Sequence, residues 1–170
     1  MNRAEECVEI LRRAGADLDW FVETGTADGY TTKNLADYFK SLVTIEIDHP
    51  RYLHVAVTEF LGTNVMPLWG DSAKVLKEVA YWLPDPALFW LDAHYSGGAR
   101  GDVDTPIIDE LEAIFPLKHH GSVVLIDDAR LFGSDPAYPD LNWIEDFLDC
   151  RGDYMWKVEN DIIFIREFDD

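Results

Sequence analysis

Four residues beside two apolar runs have types and spacing that could do chemistry together. Asp92 and His94 follow ALFWL, and Asp127 and Asp128 follow SVVLI. Carboxylates drawn this close repel one another unless a cation or a proton offsets them. Oxygen donors suit Mg²⁺, with water and substrate completing an octahedron, so Asp92, Asp127 and Asp128 are the candidate metal ligands. Successive strand residues point to opposite faces. Asp127 and Asp128 can therefore share one ion only if the chain has left its strand by residue 128, and the Ala-Arg-Leu-Phe-Gly run that follows makes room for that. His94, with a pKa near neutrality, could act as general base or as a further ligand, which makes His94 and Asp92 the candidate catalytic pair. The same acids would also serve as helix caps and loop anchors with no ion present.

A second group lies earlier in the chain. WFVET runs into ETGTADG, with Glu23 two residues before Gly25 and a second glycine at Gly29. A dinucleotide fingerprint would place glycines at positions 25, 27 and 30, but Ala27 and Tyr30 stand at the last two. Side chains there hinder close approach of a pyrophosphate. Glu46, 17 residues after Gly29, ends the next apolar run, where an acid can reach both hydroxyls of a ribose. Asp71, in Gly70-Asp71-Ser72, could accept from an adenine amino group or simply cap a helix.

Both groups need a scaffold that brings strand ends together, and the periodicity supplies one. Helical patterns are predicted over 3–14, 29–40, 49–61, 72–82 and 141–150, and another starts at Thr105-Pro106, with Thr105 as cap and Pro106 in the first turn. Strands are predicted at 20–24, 42–47, 64–68, 87–92 and 122–127, with a hairpin around Glu159-Asn160-Asp161 to finish. Strand–helix alternation of this kind gives a doubly wound, mostly parallel seven-stranded α/β sheet with helices on both faces and a C-terminal antiparallel hairpin. Ligands in such sheets bind beyond the C-terminal strand ends, where both groups fall.

The three signals Glu23/Gly25/Gly29, Glu46 and Asp71/Ser72, each at the end of its own strand, resemble the class I S-adenosylmethionine (SAM)-dependent methyltransferases over about residues 20–167. The resemblance implies that Glu23, Thr24, Gly25 and Gly29 hold the methionine part of SAM, Glu46 the ribose, and Asp71 and Ser72 the adenine, with Asp92 beside the cofactor. Many members have a glycine where this chain has Ala27. The acid after the fourth strand and the Asp-Asp pair after the fifth look like the metal-dependent O-methyltransferases of macrolide sugars. Those enzymes carry extra N-terminal helices as a lid, whereas about 19 residues precede the first strand here. A lid from a neighbouring subunit in a homo-oligomer, an open site, or a different specificity would each account for that. The run 96–101 reads as a mobile loop over the site, and Arg100 or Arg130 as a clamp for an anionic substrate.

Composition narrows the partners. Thirty-three acidic residues against 14 basic give a net charge of −19, which opposes nucleic acid and anionic lipid and tolerates a cationic ligand or metal. No apolar run approaches the ~20 residues of a membrane span. Cys7 and Cys150, in no metal-ligand spacing, read as reduced thiols of a cytoplasmic protein. The expectation is one domain over 1–170 that transfers a methyl group from SAM to a small-molecule hydroxyl, with Mg²⁺ assisting. Two other classes stay open: an adenosyl-binding protein without methyl transfer, and a metal-dependent hydrolase centred on Asp92, His94 and Asp127.

Overall fold

A computed structural model describes residues 2–94, 99, 101–117 and 120–168. Seven strands form one sheet in the order β3-β2-β1-β4-β5-β7-β6. The strands are β1 (Trp20–Thr24), β2 (Ser41–Glu46), β3 (Val65–Trp69), β4 (Ala87–Leu91), β5 (Val123–Ile126), β6 (Tyr154–Glu159) and β7 (Ile162–Glu167). The first five are parallel, and β7 runs antiparallel between β5 and β6. Strand order reverses at β1, which pairs with both β2 and β4. Thr24 lies level with Ile45 on one side and Leu91 on the other.

Among the described residues six α-helices cover the sheet: α1 (Arg3–Ala14), α2 (Tyr30–Leu35), α3 (His49–Thr58), α4 (Ser72–Trp82), α5 (Ile107–Ile114) and α6 (Leu141–Asp149). Strand side chains alternate between two cores. Val22, Val43 and Phe89 face Leu76, Leu111 and Ile144 of α4, α5 and α6. Phe21, Leu42 and Leu88 face Leu11, Leu35 and Val55 of α1, α2 and α3. Burial on both faces is why these strands read as continuous apolar runs. Among the described residues no helix is long and apolar enough to cross a membrane.

Most element ends fall within a residue or so of expectation, and three helix boundaries that differ have a visible cause. Helix α2 stops at Leu35, well short of residue 40, and the Asn64 side-chain amide donates to the carbonyls of Ala36 and Phe39 (2.9 Å each) in place of further helix turns. Helix α3 stops at Thr58, before the left-handed Gly62. Helix α5 starts one residue late: Pro106 is the cap, and the Thr105 hydroxyl is directed to Tyr138 instead. The terminal hairpin turns through Asn160 and Asp161, both at positive φ (52° and 63°), the geometry of a two-residue hairpin loop.

Candidate active site

The C-terminal ends of β1, β2, β3 and β4 surround a cleft of about 160 Å³ whose wall includes Gly25, Glu46, Asp71, Ser72, Asp92 and His94. Gly25 adopts φ +84°, and a Cβ on it would stand 2.4 Å from the carbonyl oxygen of Asp92. That contact lets the loop after β1 lie flat against the end of β4, and only glycine fits it. Glu46 is 6 % exposed; Oε2 accepts from the Ala27 N–H and Oε1 from the Asp48 N–H, both at 2.8 Å. Each oxygen keeps a lone-pair direction for a ligand donor, as two vicinal hydroxyls would require. Glu46→Gln replaces one of those acceptors by an amide donor. It is expected to weaken a ligand that presents two vicinal hydroxyls by about tenfold or more, the cost of a lost charge-assisted hydrogen bond, as read by calorimetric titration. Asp71 caps α4, accepting from the Ala73 N–H at 3.2 Å, and also lies 3.5 Å from Lys74. Lys74 pairs with Asp102 at 2.8 Å, which ties the chain near Gly101 to the same rim.

Three of the expected cofactor residues sit behind this wall. Glu23 is buried, and its Oε2 accepts from the hydroxyls of Thr32 (2.7 Å) and Thr44 (2.6 Å). Thr44 in turn lies 2.6 Å from the Thr26 hydroxyl. Glu23 thus braces the glycine loop from beneath. Gly29, at φ +77°, opens α2 and leaves its missing side chain facing Phe60. The buried Thr24 accepts from the Asp92 N–H through its carbonyl (3.2 Å) and its hydroxyl (3.3 Å), locking β1 to β4.

Burial pushes the Glu23 carboxyl up to about 8, against the hydroxyl bonds that favour its ion. It likewise raises Asp127 to about 6. An acid whose pKa rises on folding favours the native state fully below the unfolded value near 4.5, and loses that contribution as pH climbs to the folded value. The melting temperature is therefore expected to fall between pH 5 and pH 8.5. Glu23→Gln, which keeps an acceptor for both threonines, should flatten that slope in thermal scans.

The group around Asp92 assembles differently from the sequence expectation. Asp92, His94 and Asp128 each offer one donor atom, and these lie within 4.8 Å of one another. The His94 Nδ1 is 3.4 Å from Asp92 and 3.6 Å from Asp128, and these carboxylates raise its pKa, Asp92 foremost. Burial raises Asp92 as well. Strand β5 ends at Ile126, and Asp128 takes a left-handed conformation (φ 59°) that swings its carboxylate toward β4. The hairpin holds this turn: the Ala129 N–H donates to the Asp161 carbonyl (2.9 Å), and the Arg130 N–H to its carboxylate (2.7 Å).

Asp127 does not join the cluster. It lies near enough for its charge to act on Asp92, but its carboxylate pairs with Arg3 in the first turn of α1, and Arg3 also donates to the Asn160 carbonyl at 2.6 Å. Arg130 pairs with Asp128 (2.7 Å) and with Asp161, so it neutralises site acids where a substrate clamp was expected. Tyr95, Ser96, Gly97, Gly98, Arg100 and His119 lie outside the described residues. His120 lies 2.9 Å from Glu167, at the N-terminal end of β5 and away from the cleft.

A divalent cation fits this donor set. Two carboxylates and an imidazole within 4.8 Å can converge on one ion, and the imidazole widens the choice from Mg²⁺ toward Mn²⁺ or Zn²⁺. Sequence reasoning missed Arg3, whose role depends on where α1 docks, and Glu110 of α5, which is buried behind Ser72. The one signal for Glu110 was its position beside Leu111 within an apolar helix stripe.

No family model matches the sequence. No curated protein matches it either. Solved structures match its fold. An rRNA methylase from Streptococcus thermophilus superposes with a TM-score of 0.59 at 12% identity, covering 99% of this chain and 98% of its own. The O-methyltransferase TomG from Streptomyces achromogenes, in complex with SAM, gives 0.61 at 21% identity, covering 96% and 78%. MycE of the mycinamycin biosynthetic pathway, in complex with Mg, S-adenosylhomocysteine (SAH) and mycinamycin VI, gives 0.64 at 14% identity, covering 94% of this chain and 48% of MycE. The chain has the fold of class I SAM-dependent methyltransferases.

Proposed function

We propose that this protein is a SAM-dependent methyltransferase that acts on a small-molecule hydroxyl with the help of a divalent cation. The observation that carries the reading is one cleft, at the point where strand order reverses, that gathers Gly25, Glu46, Asp71, Ser72 and Asp92 from four strand ends. Glu46 would hold the ribose hydroxyls, and Asp71 and Ser72 the adenine. The loop at Gly25 would pass beneath the methionine part, shaped by Glu23, Thr24 and Gly29 from behind. Negative groups around the cleft favour a sulfonium ion over a neutral ligand.

The acceptor oxygen attacks the methyl carbon; the new O–C bond forms as the S–C bond breaks, and the acceptor proton leaves. The protein's share is alignment, exclusion of water and acceptance of that proton. His94, held by Asp92 and Asp128 through Nδ1, keeps Nε2 for the proton. A cation held by Asp92, His94 and Asp128 would lower the pKa of the acceptor hydroxyl. With the cation bound His94 would be a ligand; without it, the general base. Asp127 supports the cluster through its charge and its pairing with Arg3.

An rRNA substrate, suggested by two rRNA methylases among its fold neighbours, is opposed by the net charge of −19, because phosphate backbones are recruited by lysine and arginine. A hydrolase centred on Asp92, His94 and Asp127 leaves the cleft at Glu46 and Gly25 without a role. We read the chain as a single domain of the cytoplasm, in keeping with its two free cysteines. The test is transfer of labelled methyl from SAM to a panel of catechols, phenols and sugar hydroxyls, with and without EDTA. Transfer lost on chelation and restored by Mg²⁺ or Mn²⁺ is expected; transfer to RNA alone, or none to any hydroxyl, would overturn the reading.

A further inference from the structure

The reaction above gives no role to Glu110. It is only 1 % exposed, on a helix whose buried neighbours Ile107, Leu111 and Ile114 all pack in the core. The hydroxyls of Ser72 and Thr24 face its carboxyl and favour the ion, but Oε1 meets no hydrogen-bond partner. Glu110 lines a cavity of about 10 Å³, room for roughly one water, together with Asp92, His94 and Tyr138. An apolar side chain would suit a purely structural position here, since a half-satisfied buried carboxyl opposes folding. Ser72 and Asp92 belong to the wall of the main cleft as well, so Glu110 stands one residue behind that wall.

We propose that Glu110 is a positioning residue that selects the sulfonium donor over its thioether product, its carboxylate acting through Thr24 and Asp92 behind the methionine part. The inference rests on the cleft being the SAM site. SAM and SAH share the adenosyl and amino-acid groups and differ by one methyl and one positive charge. Glu46 and Asp71 meet parts common to both ligands, whereas a buried charge behind the wall acts on the difference. Its effect is strengthened by the low dielectric around α5. Burial raises the Glu110 carboxyl to about 7, and a sulfonium ion beside it would favour the ionised form.

The test is titration of the wild type, Glu110→Gln and Glu110→Asp with SAM and with SAH at pH 8 in EDTA, alongside thermal melts. Glu110→Gln is expected to weaken SAM about tenfold, the size of a unit charge across one side-chain layer at an effective dielectric of about 20. SAH affinity should stay within about twofold, and the variant should melt no lower than the wild type. Glu110→Asp keeps the charge and should keep the preference. Equal losses for both ligands, or no loss for either in a folded variant, would overturn the inference. A wild type that binds neither ligand would overturn the cofactor reading and this inference with it.

Discussion

Gly25→Ala is expected to abolish measurable SAM binding and to lower the melting temperature by about 5–10 °C. Two independent costs meet at this position. The backbone is at φ +84°, which costs an alanine about 1–2 kcal/mol. The added Cβ would lie 2.4 Å from the carbonyl oxygen and 2.8 Å from the carbonyl carbon of Asp92, and a backbone group at a strand end cannot swing aside. Either the loop lifts off β4 or Asp92 moves, and each outcome deforms the cleft wall. Together the costs come to about 2–3 kcal/mol, and 1 kcal/mol shifts the melting point of a chain this size by roughly 2–4 °C. Gly62→Ala is the control: it has a similar φ of +79° but nothing within 4 Å of the new Cβ. It should show the smaller backbone cost alone and bind SAM normally. Calorimetry and thermal scans on both variants check this, and normal SAM binding by Gly25→Ala would refute the role given to the loop.

Asp128→Asn should cost about 100-fold or more in cation-dependent methyl transfer while SAM affinity stays within about twofold, the pattern for losing a metal ligand. Asparagine tolerates the left-handed conformation at φ 59°, so the substitution removes charge and leaves the turn in place. Asp127→Asn should cost less, about tenfold, because Asp127 acts through Arg3 and through its field on Asp92. Steady-state rates over a Mn²⁺ or Mg²⁺ titration separate the two. Asp128→Asn should need more cation and still fall short; Asp127→Asn should approach wild type at high cation. Equal losses, or rates indifferent to chelation, would contradict the assignment of Asp92, His94 and Asp128 as the cation site.

These contrasts mark what the chain disclosed before its fold was seen. Strand ends at Thr24, Glu46 and Leu91 were legible to within one residue because strands buried on both faces are unbroken apolar runs followed by polar residues. Glu46 and Gly25 were legible for the same reason, since a strand end in a doubly wound sheet points at the ligand cleft. Side-chain direction was not. Glu23 faces Thr32 and Thr44 in place of the cleft because alternation at the end of β1 turns it toward α2. Asp127 and Asp128 part ways at one left-handed residue, and that turn is fixed by Asp161, thirty-odd positions away. Arg3 reaches the site only through tertiary docking of α1.

A calorimetric titration of the wild type with SAM, SAH and NAD tests most directly whether the cleft at Glu46 and Gly25 is an adenosyl site. SAM and SAH are predicted to bind saturably at one site per chain. At about 100 times its dissociation constant each should add about 2.7 kcal/mol to stability, and NAD should leave it unchanged. Binding of NAD with neither SAM nor SAH detected would contradict the account.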